Sequence, residues 1–211
     1  MALVIALTGG IGSGKTSVAN LLAEFGAAIV DTDEIAHELT AAGQPGAAQI
    51  GAEFGAQYLD AAGALDRARM RELVFSDAAA KQRLEAVLHP MIRAEVQARV
   101  EKFAASPREK VPYVVIVVPL LIETGAYRDL AQRILVVDSA EGKQVERVQH
   151  RSNLDPSAVK AIMANQATRE QRLSHADDVV RNDGDLQALH DAAAALHQKY
   201  LHLAGNSVQT R

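Results

Sequence analysis

The stretch LVIALTGGIGSGKT, residues 3–16, joins a short apolar run to a glycine-rich turn that ends in Lys15 and Thr16. Leu3 to Thr8 has the length and apolarity of a strand buried on both faces. Gly9 to Thr16 fits G-x-x-x-x-G-K-[S/T], and physical chemistry explains the residue types. Glycines let the backbone curl until successive N–H groups point inward as an anion nest. The helix that follows adds its N-terminal amides and dipole. Gly10, Ile11, Gly12, Ser13, Gly14, Lys15, Thr16 and Ser17 are therefore the expected nucleotide-binding stretch. Lys15 is expected to reach the β- and γ-phosphates, and Thr16 to ligate Mg²⁺. The dinucleotide pattern G-x-G-x-x-G does not fit, because counting from Gly10 puts Lys15 where the third glycine must stand. The bland alternative is a chance glycine turn followed by Lys-Thr. The strand before it and the amphipathic helix after it are the context the motif requires.

After the loop, Val18, Leu21, Leu22 and Phe25 recur at helical spacing, and Gly26 is placed to end that helix. Ala27 to Asp31 reads as a second strand, completing a strand–helix–strand unit. Tyr113 to Val118, stopped by Pro119, is a third strand, and Ile134 to Asp138 a fourth. Asp178 to Arg181, closed by the turn Asn182-Asp183-Gly184, is a fifth. A helix capped by Asp185 is expected from Leu186 to Leu203. The fold class predicted is α/β, a doubly wound five-stranded parallel sheet of the P-loop NTPase kind with helical insertions.

Two segments break the rhythm. Residues 34–110 carry helical patterns and no convincing strand, and residues 139–175 are helical and polar. The expected organisation is a core of 1–33, 111–138 and 176–211 with these two excursions. In the first, the apolar series from Leu84 to Phe103 continues past His89-Pro90, where a kink or a new helix is expected. In the second, Asp155-Pro156 is an expected helix start.

The 211 residues suit one α/β domain with insertions. A net charge of −4 argues against a broad nucleic-acid surface. The chain has no cysteine, which fits a reducing compartment and rules out disulfides. The apolar N-terminal run lacks a basic flank and reads as a strand, not a signal peptide. No apolar run approaches a membrane span. The expectation is a cytoplasmic protein acting on small molecules.

Asp31 and Asp33 stand at the end of the second strand. A carboxylate there can accept a hydroxyl proton or hold Mg²⁺ through water. Equally, Asp33 can cap the helix that begins near Ile35. Arg147 and Arg151 share a helix face, as do Arg169 and Arg172, and arginines of this kind close over transferring phosphate. Each also reads as part of a solvated face paired with Glu146 or Glu170. His89 is ambiguous between structure and site, and His197 and His202 read as surface. No zinc spacing is found.

Taken together, ALTGGIGSGKT (6–16), VDTDEIA (30–36), LHPMI (88–92), VVPLLIE (117–123), NQATREQRL (165–173) and HADDVVRNDG (175–184) resemble segments of the dephospho-CoA kinase family, in order and over nearly the whole chain. The glycine loop is common to many kinases, whereas the other segments are more specific. The resemblance implies ATP as phosphate donor with Mg²⁺, and dephospho-CoA as acceptor at its ribose 3′-hydroxyl, giving coenzyme A. It implies a nucleotide-binding core, a helical acceptor domain at 34–110 and a lid at 139–175. By the same resemblance Asp33 is the base, His89 and Glu123 line or support the acceptor site, Arg147 and Arg151 are lid arginines, and Asn182 approaches adenine. Thr16 stands where many members have Ser, with the same hydroxyl. No acidic residue closes the YVVIVV strand, where many P-loop proteins hold Mg²⁺, and Pro119 occupies that place.

A kinase for another small hydroxyl acceptor, such as a nucleoside or nucleotide, is the competing enzyme. A nucleotide-dependent switch is the competing class. It lacks support, because no Asn is followed by Lys as guanine recognition requires, and Asp60-Ala-Ala-Gly63 reads as a turn.

Overall fold

A computed structural model describes residues 2–107, 111–152 and 154–206. In chain order, β1 (Leu3–Gly9) leads through the glycine turn into α1 (Lys15–Glu24) and β2 (Ala28–Asp31). Helices α2 (Thr32–Leu39), α3 (Pro45–Phe54), α4 (Arg67–Ser76) and α5 (Ala78–Ala104) follow. β3 (Tyr113–Val117), the short α6 (Leu121–Thr124) and β4 (Arg133–Asp138) return the chain to the sheet. Helices α7 (Glu141–Ser152), α8 (Pro156–Ala164) and α9 (Arg169–Ser174) then precede β5 (Asp178–Arg181) and α10 (Leu186–Asn206).

The five strands form one parallel sheet in the order β2-β3-β1-β4-β5. Leu3 lies opposite Tyr113 and Leu7 opposite Val117 on one side of β1. On the other side Ile5 lies opposite Arg133 and Gly9 opposite Val137. The strand–helix–strand unit at the N-terminus therefore skips a place. β3, which arrives only after the helical insertion, fills the slot between β1 and β2.

The chain divides into two compact units, residues 1–30 with 100–211, and residues 31–99. In the first, alternate residues of the strands build one continuous core. Leu3, Ile5 and Leu7 pack with Val115, Val117, Leu135 and Val137, and with Val18 and Leu22 of α1 and Leu189 and Tyr200 of α10. The intervening positions Val4, Ala6, Val114, Ile116 and Val136 are buried as well. A strand covered on both faces has no polar stripe, which is why β1 and β3 read as unbroken apolar runs. At the end of α1, Gly26 adopts φ +102°, and the Ala27 N–H donates to the Leu22 carbonyl at 2.9 Å. That closes the helix as its sequence predicts. Asp155 accepts from the Ser157 N–H at 2.7 Å to cap α8, and Asp185 accepts from Ala188 N–H at 2.8 Å at the start of α10.

His197 corrects the surface assignment. It is 8% exposed, and its Nδ1 lies 2.9 Å from the Tyr113 hydroxyl. Leu189, Ala193, His197, Tyr200 and Ala204 are all buried, so position 197 belongs to the stripe that α10 turns to the sheet. His202 is exposed, as expected.

In the unit 31–99, Ile50, Phe54, Met70 and Ala80 form a separate core with Leu65, Leu84, Val87 and Leu88 packed against it. α5 runs unbroken through Pro90, so no new helix begins there. His89 and Pro90 both sit on an exposed face, where water can satisfy the carbonyl that proline leaves without a donor. Asp60-Ala-Ala-Gly63 is a turn, with Asp60 Oδ1 accepting from Ala62 and Ala64 N–H at 2.9 Å each. No helix among the described residues is long and apolar enough to cross a membrane.

Candidate active site

The glycine turn begins where β1 ends, and α1 grows directly from it. The Ser13 N–H donates to the Gly10 carbonyl at 3.2 Å, and Val18 N–H to the Gly14 carbonyl at 3.1 Å. Gly12 and Gly14 adopt φ of +72° and +97°. A Cβ on Gly14 would also run into the Asn182 amide, so this position excludes side chains on two grounds. The first turn of α1 holds no acidic side chain of its own, so nothing within that turn opposes an anion at the positive end of the helix dipole. Lys15 Nζ donates to the carbonyls of Gly9 and Gly10 at 2.9 and 3.1 Å. Thr16 and Ser17 are exposed in that same turn.

Residues distant in sequence hold the loop by its carbonyls. Asn182 Nδ2 donates to the Ser13 carbonyl at 2.8 Å. Arg147 Nη2 donates to the Asn182 carbonyl at 2.8 Å, and its Nη1 reaches the carbonyls of Gly12 and Ser13 at 3.4 Å each. The structure thus brings Arg147 and Asn182 together against the glycine loop. Arg151, one turn further along α7, is exposed. With Lys143, Glu146, Arg147 and His150 it lines an open concavity rich in basic side chains. Gln144 donates to the Ser139 carbonyl at 2.6 Å, which fixes its amide orientation. Its Oε1 and the Ser13 hydroxyl are buried without a hydrogen-bond partner among the described residues.

A second support comes from the segment before α9. The Ile11 N–H donates to Gln166 Oε1 at 3.0 Å. The next residue, Ala167, is held at both ends. Its N–H donates to Glu123 Oε1 at 2.7 Å, and its carbonyl accepts from Arg172 Nη1. Thr168 caps α9 in a reciprocal box with Gln171. Arg172 is buried, and burial lowers its pKa despite the nearby carboxylates of Glu123 and Asp138. Arg169 grips Asp138 with two parallel bonds, Nε to Oδ1 at 2.7 Å and Nη2 to Oδ2 at 2.6 Å. A cavity of about 780 Å³ opens between α7, α8 and this segment, lined by Val145, Met163, Gln166, Arg169 and Arg172 among others.

Asp138, Gln144 and Gln166 were not singled out from sequence. Asp138 carried a signal, since it closes the apolar run ILVVD on a strand beside β1. The two glutamines carried none.

Asp31, Asp33 and His89 belong to the unit 31–99. Asp31 is the cap of α2, its Oδ1 accepting from the Asp33 N–H at 2.8 Å. Asp33 occupies the first turn with an exposed side chain, so capping is not its task. His89 is exposed on α5. Lys15, Glu123, Arg147, Arg151 and Asn182 belong to the other unit.

A parallel sheet in this order, with GGIGSGKT between β1 and α1, defines a P-loop kinase. The chain belongs to the dephospho-CoA kinase family, whose model, described as Dephospho-CoA kinase, matches residues 3–188. A protein of Nitrosospira multiformis named Dephospho-CoA kinase is 52% identical over 205 residues, covering 97% of this chain and 100% of its own. A crystal structure from Thermus thermophilus superposes with a TM-score of 0.78 at 31% identity, covering 94% of this chain and 97% of its own. Dephospho-CoA kinase from Campylobacter jejuni superposes with a TM-score of 0.72 at 25% identity, over 98% of this chain and 100% of its own.

Proposed function

We propose that this chain transfers the γ-phosphate of ATP to the ribose 3′-hydroxyl of dephospho-CoA in the cytoplasm, giving coenzyme A and ADP. The observation that carries the reading is the glycine loop. Its backbone curls through Gly12 and Gly14, its helix offers an amide terminus with no acidic neighbour in the first turn, and Lys15 stands at its end. Membership of the family supports the choice of acceptor.

In this reading the loop from Gly10 to Ser17 cradles the triphosphate through amides other than that of Ile11, which Gln166 holds, and the Lys15 ammonium leaves the Gly9 and Gly10 carbonyls for the phosphates. Mg²⁺ fits a site with an exposed Thr16 hydroxyl beside the phosphate cradle, because it favours oxygen ligands and keeps several waters. No group of three or more His, Cys, Asp or Glu side chains able to hold a metal occurs among the described residues; Thr16 would hold the ion, with phosphate oxygens and water as the further oxygen ligands it favours. When bound, the ion neutralises charge on the β- and γ-oxygens. Asp33 takes the proton of the acceptor hydroxyl, a role compatible with its exposure and with Asp31 supplying the helix cap. His89 and Glu123 serve the acceptor side, Arg147 and Arg151 the phosphates, and Asn182 the adenine. Residues 34–110 act as the acceptor-binding part and 139–175 as the lid; the boundary at 110 lies outside the described residues.

The test is ADP release measured with dephospho-CoA, adenosine and AMP as acceptors. Turnover with dephospho-CoA alone supports the proposal. Equal turnover with adenosine or AMP makes the chain a kinase for another hydroxyl acceptor.

A further inference from the structure

Ile11 sits at the crest of the glycine loop, and its N–H is taken by a side chain 155 residues away, Gln166. Nothing in the P-loop pattern calls for that bond, because the motif specifies the loop and leaves its outer support open. Gln166 is half-buried, and its place is set by its neighbour. The Ala167 N–H is bound by Glu123, and the Ala167 carbonyl by the buried guanidinium of Arg172. Thr168 then locks the chain into α9 through its capping box. A residue whose following peptide groups are pinned on both sides has little freedom to drift. Its amide oxygen is thus offered to Ile11 from a rigid mount.

We propose that Gln166 is a positioning residue for phosphoryl transfer: it holds the crest of the phosphate loop through the Ile11 N–H, with Glu123 as its anchor through Ala167. The physical need is plain. A glycine-rich loop loses more conformational entropy on ordering than any other segment, so external bonds that order it beforehand reduce what nucleotide binding must spend. Gln166 supplies one such bond on the side of α9, while Asn182 and Arg147 supply theirs at Ser13 and Gly12. Glu123, assigned above to the acceptor side, thereby acts on the nucleotide side as well. The inference deepens the kinase reading and depends on the loop, not on the identity of the acceptor.

The test uses ADP binding by calorimetry, with no acceptor present, and hydrogen exchange at the Ile11 amide. Gln166→Met keeps the length and removes the acceptor oxygen. It is expected to weaken ADP by roughly tenfold, the scale of one lost hydrogen bond, and to speed Ile11 exchange, while exchange across β1 stays slow. Gln166→Glu keeps an acceptor oxygen and is expected to keep Ile11 exchange slow. Glu123→Ala is expected to weaken ADP too, and the double variant to lose no more than the larger single loss, since both remove one device. In turnover, Gln166→Met raises the nucleotide KM and leaves the acceptor KM unchanged. Parental ADP affinity and Ile11 exchange in Gln166→Met overturn the proposal, as does full additivity of the two losses. If dephospho-CoA fails as acceptor while Gln166→Met still weakens ADP, the acceptor assignment falls and the positioning role stands.

Discussion

Asn182 and Ser13 are 169 residues apart in sequence, yet the Asn182 amide donates to the Ser13 carbonyl at 2.8 Å in a buried setting. The same asparagine receives Arg147 on its own carbonyl, so the turn after β5, helix α7 and the phosphate loop meet at one side chain. Asn182→Ala is expected to cost about 1–2 kcal/mol of folding stability, as for a buried hydrogen bond whose acceptor is left partly unpaired, and to raise the nucleotide KM. Urea unfolding and calorimetry with ADP check the two effects. Unchanged stability and affinity would mean that Arg147 alone suffices to hold the loop.

Lys15 is expected to matter most for rate. Its ammonium is the only cationic side chain between Gly9 and Ser17. Lys15→Ala should lower turnover by roughly 10²–10⁴, comparable to the loss of a principal electrostatic stabiliser. A steady-state assay at saturating ATP measures this, and a near-parental rate contradicts the role given to Lys15.

Asp31 and Asp33 are two positions apart and should respond to mutation in opposite ways. Asp31→Ala removes the α2 cap and is expected to cost about 1 kcal/mol in stability. Asp33→Asn keeps the fold and is expected to depress kcat far more than ATP affinity, because the lost carboxylate acts on the acceptor hydroxyl. Thermal melts and kinetics on both variants separate them. Loss of ATP binding with intact kcat in Asp33→Asn contradicts its role as base.

Two buried groups contribute to the dependence of stability on pH. Burial lowers the pKa of His197 below the ordinary value of about 6.5. The folded state therefore refuses a proton that the unfolded chain accepts, so stability is complete above about pH 6.5 and declines as pH falls toward the folded pKa. Asp178 contributes at lower pH. Its burial opposes the charge, but bonds from Arg133 and Lys199 win and lower its pKa. Its contribution is present above about pH 4, the ordinary carboxylate value, and is lost as pH falls further. Urea unfolding at pH 7.5 and 5.5 should show a drop in the parent that shrinks in His197→Gln, which stays neutral at both. An equal drop in both proteins rules out His197 as its source.

Much of the frame is legible along the chain. The apolar runs at β1, β3 and β4, the glycine at φ +102° after α1 and the acidic caps of α8 and α10 are all where their sequences place them. His197 was misread because a polar name outweighed its place in the apolar stripe of α10. For Asp33 the spacing left capping and chemistry equally open, while Asp31 read as the more structural of the two; the bond from the Asp33 N–H to Asp31 makes Asp31 the cap of α2.

By itself the sequence determined the phosphate loop, the parallel strands and the helix ends, because each depends on residues close enough to communicate through backbone torsion, periodicity or a local cap. Tertiary structure alone decided that β3 lies between β1 and β2, that Asn182 and Arg147 bind the carbonyls of the loop, and that Gln166 holds its crest. Those relationships join residues more than eighty positions apart. Periodicity describes neighbours along the chain, whereas a hydrogen bond requires neighbours in space, and only the packed fold brings such residues within hydrogen-bonding distance of one another.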